Sequence, residues 1–246
     1  MKKVIVTGAT SGIGAAIVRA FGTSGQTVLA IARRAERLSA LQKETGCQVC
    51  VSDVRDLSTL GPVAEAFAPD ILVNNAGVGH GISGLDQITQ GDIQAACDVN
   101  IVAPIQLTRL VLSGMRMRGR GHIINIGSIA GLHTMLSALY GSTKGAVHIF
   151  SQNLRQELKG TGIRVTEICP GRVSTEFYDT ARGDTGTLAA MKHTGITELR
   201  PEDVAAAVAY AASAPSHVNV ATIELLPTEQ AVGGVAITPA EGANER

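Results

Sequence analysis

The sequence predicts an α/β protein, with a single doubly wound parallel sheet of about seven strands and helices on both faces. Three observations predict it. Short apolar runs alternate with helix-period segments along almost the whole chain, as βαβ units do. The runs are apolar at successive positions, which suits strands covered on both sides. A glycine-rich turn joins the first run to the first helical pattern. Its 246 residues fit one domain, and no repeat, linker or charge block divides them.

The expected strands are Val4–Thr7, Thr27–Ala32, Gln48–Ser52, Ile71–Asn74, His122–Ile126, Arg164–Cys169 and Thr222–Leu225. Each is four to six residues of mainly β-branched or aliphatic side chains. The helical patterns between them are Gly12–Ser24, Ala35–Thr45, Leu57–Ala66, Gln90–Met117, Ala138–Leu158 and Pro201–Ala214. Pro104 is expected to kink the fourth or divide it. Pro201 followed by Glu202 and Asp203 marks a helix start, where proline and acid are both favoured. Residues 176–200 are weakly periodic and form a candidate mobile substrate loop, and 233–246 a small-residue polar tail.

Composition excludes several classes. Hydrophobic residues make up 45% of the chain and charged residues 17%, against roughly 25% in an average domain, so disorder is excluded. Lys plus Arg equals Asp plus Glu, 21 each, so no broad field for nucleic acid or an anionic membrane is expected. With no Trp, three Tyr and four Phe, stacking platforms for single-stranded nucleic acid are not expected either. No apolar signal region follows Met1, and no run reaches the ~18 consecutive apolar residues of a membrane span. Cys47 and Cys50 form a C-x-x-C pair, but on a strand they point to opposite faces, so no metal centre is expected. The expectation is a reduced, cytoplasmic protein.

The turn Thr7-Gly8-Ala9-Thr10-Ser11-Gly12-Ile13-Gly14 follows the first strand and opens a helix. Glycines there let the backbone turn sharply and approach a pyrophosphate, which then meets the free N–H groups of the helix start. This Rossmann-type arrangement departs from the G-x-G-x-x-G spacing. The second strand ends in Arg33 and Arg34, not in the acid that would bond a ribose 2′-hydroxyl. Guanidinium groups attract a 2′-phosphate, so NADP(H) is the expected coenzyme.

The fifth strand ends in Ser128, and twelve residues on comes Tyr140-Gly141-Ser142-Thr143-Lys144. Four positions apart, Tyr140 and Lys144 share a helix face. A phenol titrates near pH ~10. A nearby ammonium lowers that value and makes it a usable general acid or base. Ser128, at the carboxyl end of a central strand, is placed to hold a carbonyl oxygen.

These motifs, in this order, resemble the short-chain dehydrogenase/reductase family over residues 1–230. They are Thr7-Gly8-x-x-x-Gly12-x-Gly14, Asp53-Val54, Asn74-Asn75-Ala76-Gly77, Asn100, Ser128, Tyr140-x-x-x-Lys144 and Pro170-Gly171 with Thr175. The resemblance implies an oxidoreductase moving hydride between nicotinamide and a carbonyl or alcohol. It implies Asn100, Ser128, Tyr140 and Lys144 as catalytic residues. Gly8, Thr10, Ser11, Gly12, Ile13 and Gly14 would hold the coenzyme phosphates. Asp53 and Val54 would flank the adenine, and Asn75, Ala76 and Gly77 would line the cleft. Pro170, Gly171, Val173 and Thr175 would contact the nicotinamide end. Lys144 would hold the ribose hydroxyls, and Tyr140 would be recharged through them and an Asn100-bound water. A homotetramer or dimer packed through the Gln90–Met117 and Ala138–Leu158 helices is also implied.

Further segments, such as Ala32-Arg33-Arg34-Ala35-Glu36-Arg37-Leu38 and Glu224-Leu225-Leu226-Pro227-Thr228, resemble the NADP-dependent 3-hydroxy acid dehydrogenases and sulfoacetaldehyde reductases of that family. A small hydroxy acid, aldehyde or ketone is the implied substrate. His133, Met135 and Arg172 are its candidate contacts, Arg172 suiting an anionic group. The alternative is a regulator that binds NADP on the same scaffold without turnover.

Overall fold

The computed structural model describes residues 1–82, 84–134, 137–183, 186 and 195–232. Its main sheet contains β1 (Lys3–Thr7), β2 (Thr27–Ala32), β3 (Gln48–Val51), β4 (Ile71–Asn74), β6 (Gly121–Ile126), β7 (Ile163–Pro170) and β9 (Thr222–Leu225). A separate parallel pair consists of β5 (His80–Ile82) and β8 (Arg182–Gly183). The seven strands run in the order β3-β2-β1-β4-β6-β7-β9, every pair parallel.

Strand alternation divides the core in two. Val4, Val6, Val28, Ala30, Val73, Ile124 and Ile168 face α1 (Gly12–Thr23), α2 (Ala35–Thr45) and α8 (Pro201–Ser213). Ile5, Leu29, Ile31, Leu72, Ile123 and Val165 face α3 (Leu57–Phe67), α5 (Ala103–Arg118) and α6 (Ala138–Glu157). Cys47 packs into the first cluster and Cys50 against the second, on opposite faces as the strand period requires.

After β3 the chain returns across β1 to form β4, so the connections from β1 and β4 leave on different sides. A crevice opens there, at the carboxyl ends of the strands, where open α/β sheets bind ligands. A polar ladder braces its floor. Asn74 Nδ2 donates to Asn125 Oδ1 (2.9 Å) and Thr108 Oγ1 (3.2 Å), and Asn125 Nδ2 donates to Ser151 Oγ (2.8 Å).

The fourth helical pattern is not one helix. It consists of α4 (Gln90–Cys97), a π-helical turn (Asp98–Val102) and α5. Pro104 has no N–H to offer the Asn100 carbonyl four residues back, so the regular ladder fails just before the proline. Within the run Gln90–Arg118 an 18-residue window has a mean hydropathy of 1.3, long and apolar enough by composition alone to cross a membrane. In the fold its Leu107, Val111 and Met115 are buried against the sheet, the position of a core helix. Two further regions differ from or exceed the sequence reading. The pair β5–β8 was not anticipated. Of the candidate loop 176–200, α7 (Phe177–Thr180) and β8 are described, while 184–185 and 187–194 lie outside the described residues, as does the tail 233–246.

His122, buried on β6, shares a hydrogen bond with Thr166 Oγ1 (2.8 Å), and its Nδ1 has no partner among the described residues. Burial, then the charges of Arg164 and Lys2, push its pKa down to about 3. Between that value and the ordinary ~6.5 the unfolded chain binds the extra proton, so stability falls as pH falls through this window. Urea titrations from pH 7 to pH 4.5 are expected to show a loss approaching about 1.4 kcal/mol per unit from this group. The slope is smaller in His122→Gln.

Candidate active site

The crevice forms a cavity of about 830 Å³. It is lined at one end by the β1–α1 turn and the β2 and β3 termini, and at the other by Ser128, Tyr140, Lys144 and the segment after β7. Every sequence-derived coenzyme residue lines it except Asn100, which is buried behind the wall.

At the first end, Gly8 has a φ of 64° and lies against β4's terminus, where an added Cβ would stand 2.8 Å from Ala76 Cα. A Cβ on Gly14 would overlap Gly8 O. The turn is therefore restricted to glycine by backbone contact. Thr7 Oγ1 accepts the N–H groups of Asn75 and Ala76 (3.0 Å each), and Asn75 Nδ2 donates to Thr7 O (2.9 Å). This cross-brace ties the ends of β1 and β4 together. Ser11, the N-cap residue of α1, makes no side-chain cap, leaving the first N–H groups of the helix directed at the crevice. The glycine cradle and uncapped helix start fit a dinucleotide pyrophosphate.

Beyond β2, Arg34 Nε donates to Thr10 Oγ1 (3.1 Å) and its Nη1 lies 3.3 Å from Glu176 Oε2. Arg33 stands 3.9 Å from Asp53. Arg55 grips the same Asp53 through Nε (2.9 Å) and Nη2 (2.8 Å), and with Arg33 holds its carboxyl down at about 2. Val54 is buried beneath.

At the other end, Ser128 leaves β6 in extended backbone, and its Oγ accepts the Ala130 N–H (3.1 Å). It lines the cleft together with the Tyr140 phenol, near enough to favour that phenol's ionised form. Ser137 caps α6 by accepting the Tyr140 N–H (3.3 Å). One turn on, buried Lys144 donates from Nζ to Ile126 O (2.9 Å), with its ammonium 5.9 Å from the Tyr140 ring centre. Burial lowers the Lys144 pKa to about 8. Burial also raises Tyr140 above its ordinary value, the neighbouring Ser128 hydroxyl opposing that rise. The sequence expectation was a phenol made acidic by its lysine. Burial is the largest influence on the phenol in this cleft, and it favours the protonated form.

Asn100 lies in the π turn and clamps Val78, donating from Nδ2 to Val78 O (3.0 Å) and accepting Val78 N–H at Oδ1 (2.9 Å). Its Nδ2 also donates to Thr143 Oγ1 (3.1 Å), linking the turn to the helix of Tyr140 and Lys144.

Pro170 ends β7, and Gly171 has no room for a side chain beside Gln230. Val173 pairs with Leu199 by a β-bridge, and Thr175 lies over Gly12. The substrate candidates fare differently. Arg172 lines the cleft, but its Nε donates to Glu198 (2.7 Å) and its guanidinium stacks 3.9 Å over Tyr178. His133 is outside the lining, 2.8 Å from Glu224 on β9. Met135 lies outside the described residues. Glu176, Phe177 and Tyr178, which the sequence reading placed only within its candidate loop, are in the lining, as are Glu229 and Gln230, which it missed. Phe177 packs 5.5 Å from the Tyr140 ring.

Comparison with known proteins agrees with this geometry. Residues 2–185 match the family model of short chain dehydrogenases. The chain is 41% identical over 244 residues to the NADP-dependent 3-hydroxy acid dehydrogenase YdfG of Escherichia coli K12, covering 95% of this chain and 98% of that one. It is 37% identical over 245 residues to sulfoacetaldehyde reductase 2 of Chromohalobacter salexigens, covering 95% and 97%. Among solved structures it resembles the closed form of serine dehydrogenase complexed with NADP+, with a TM-score of 0.90, 40% identity and coverage of 96% and 99%. A Gly-rich cradle, a serine–tyrosine–lysine cluster and near full-length likeness converge on one assignment: the chain belongs to the short-chain dehydrogenase family.

Proposed function

We propose that this protein is an NADP(H)-dependent oxidoreductase moving hydride between the nicotinamide and a small hydroxy acid, aldehyde or ketone, with Tyr140 as general acid/base. The observation that carries the reading is Ser128 and Tyr140 together on the cleft wall, with a buried lysine one turn behind the tyrosine and fixed to Ile126 O. The relatives named for 3-hydroxy acids and sulfoacetaldehyde support the substrate class. An assembled tyrosine–lysine pair weighs against a regulator without turnover.

The coenzyme, when bound, supplies or accepts the hydride. Arg33 and Arg34 would receive its 2′-phosphate, the glycine turn its pyrophosphate, and Pro170, Gly171, Val173 and Thr175 its nicotinamide end. Ser128 orients the substrate oxygen by hydrogen bonding. Tyr140, protonated at neutral pH, donates its proton to that oxygen as it gains charge, and takes it back in the reverse direction. Lys144, fixed by Ile126 O, keeps a positive charge behind the phenol and favours its ionised form. Arg172 is the proposed contact for a substrate anion, with His133 and Met135 as further candidates.

The proposal includes a cytoplasmic setting, in keeping with four free cysteines. It also includes assembly as a homotetramer or dimer. Val102 and Ile105 near the start of α5, and Ile149 on α6, expose apolar surface (46%, 39% and 53%) on the helices expected to pack between subunits.

Four outcomes are expected. Tyr140→Phe folds and binds NADPH, but turnover in an NADPH absorbance assay drops by about 10²–10⁴-fold. Replacing Arg33 and Arg34 by Gln weakens NADPH by roughly ten- to hundredfold and leaves NADH unchanged in fluorescence titrations. The kcat/KM for carbonyl reduction, assayed over a panel of small aldehydes and ketones, declines as pH rises through about 8, because Lys144 loses its proton there. Ile149→Glu lowers the mass measured by sedimentation equilibrium.

A further inference from the structure

We infer that Glu176 tunes coenzyme preference by competing, from within the protein, with the adenosine 2′-phosphate for Arg34, while Arg37 retains Glu176 when the phosphate arrives. The inference deepens the coenzyme assignment and rests on the reading that Arg33 and Arg34 receive that phosphate.

The Glu176 carboxylate accepts two short bonds from Arg37 Nη1 (2.9 and 2.8 Å) and one longer bond from Arg34 Nη1 (3.3 Å). Arg34 is thus the weaker-held partner, and its Nε is already directed by Thr10. Arg34 and Arg37 belong to the β2–α2 region, whereas Glu176 comes from the segment after β7. Their ion pairs therefore reach across the cleft mouth. The residues beside Glu176 extend that crossing: Thr175 lies over Gly12, and Phe177 packs against the Tyr140 ring.

All three charged side chains are 40–47% exposed, and pairs of that kind are weak enough to exchange for a stronger anion. Charge favours the exchange. Four guanidinium groups, of Arg33, Arg34, Arg37 and Arg55, meet two carboxylates, of Asp53 and Glu176. The surplus of two positive charges matches a phosphate monoester carrying about −1.5 to −2. A coenzyme without the 2′-phosphate has no anion to place on Arg34 and meets no such competition. Glu176 accordingly narrows the preference that Arg33 and Arg34 create, and Arg37 limits the narrowing by holding the carboxylate aside.

The test is calorimetric titration with 2′,5′-ADP, which carries the 2′-phosphate without the nicotinamide, and with 5′-AMP, which lacks it. Glu176→Gln is expected to bind 2′,5′-ADP about fivefold more tightly, with 5′-AMP unchanged. Arg37→Gln, which throws Glu176 wholly onto Arg34, weakens 2′,5′-ADP, and adding Glu176→Gln restores it. Circular dichroism melts establish that each variant is folded. Unchanged or weaker 2′,5′-ADP binding in Glu176→Gln, or an equal shift for 5′-AMP, overturns the inference. Arg34→Gln separates the two failures. If it binds 2′,5′-ADP like the wild type, the phosphate site itself is misassigned and the inference falls with it. If it loses affinity while Glu176→Gln gains none, only the role of Glu176 is wrong.

Discussion

The bond from the Lys144 ammonium to the Ile126 carbonyl fixes the position of the whole chemical end of the cleft. It ties α6 to the terminus of β6, the strand that presents Ser128. Gly131 allows the approach, since any side chain there would strike the Lys144 carbonyl. Thr143 then anchors the same helix to Asn100 and the π turn, and Tyr140 is carried into the cleft one turn before Lys144. The lysine is buried, so its charge is held at an energetic cost, visible in a pKa lowered to about 8. A group that is poorly solvated and yet fixed acts on its neighbours through little intervening water.

Much of this was legible in the sequence because backbone demands leave marks. The seven sheet strands were evident as runs apolar on both faces, and their observed limits, such as Ile163–Pro170 against the expected Arg164–Cys169, differ by a residue or so. The glycine turn and the four-residue Tyr140–Lys144 spacing were readable for the same reason: geometry dictated residue type. Contacts between distant segments were not. Glu176 lies in a stretch without clear period, and nothing local connects it to Arg37, although Arg37 follows Arg33 and Arg34 by one helical turn. The pairing of Arg172 with Glu198 was hidden likewise, as was that of His133 with Glu224. Spacing reports that Tyr140 and Lys144 are close and says nothing of desolvation, so the burial of the phenol was not legible either.

The two ends of the cleft are built from different materials. The end proposed for the pyrophosphate is backbone: glycines, a braced strand end and an uncapped helix. The end proposed for the adenosine is long charged side chains, half exposed and sharing partners. The first tolerates almost no change of shape, while the second can be re-paired at little cost.

The π turn before Pro104 serves the site in another way. With its Ala103 N–H bonded to Asp98 O, the turn holds one residue more than the α-helical turn it replaces, and the helix beyond keeps the phase it would have without that residue. Leu107, Val111 and Met115 stay on the sheet either way. The widened turn instead serves Asn100, whose reach to both Val78 and Thr143 depends on where the bulge puts it. An irregularity of one residue is thus spent on a single side chain, at no cost to the buried face that follows.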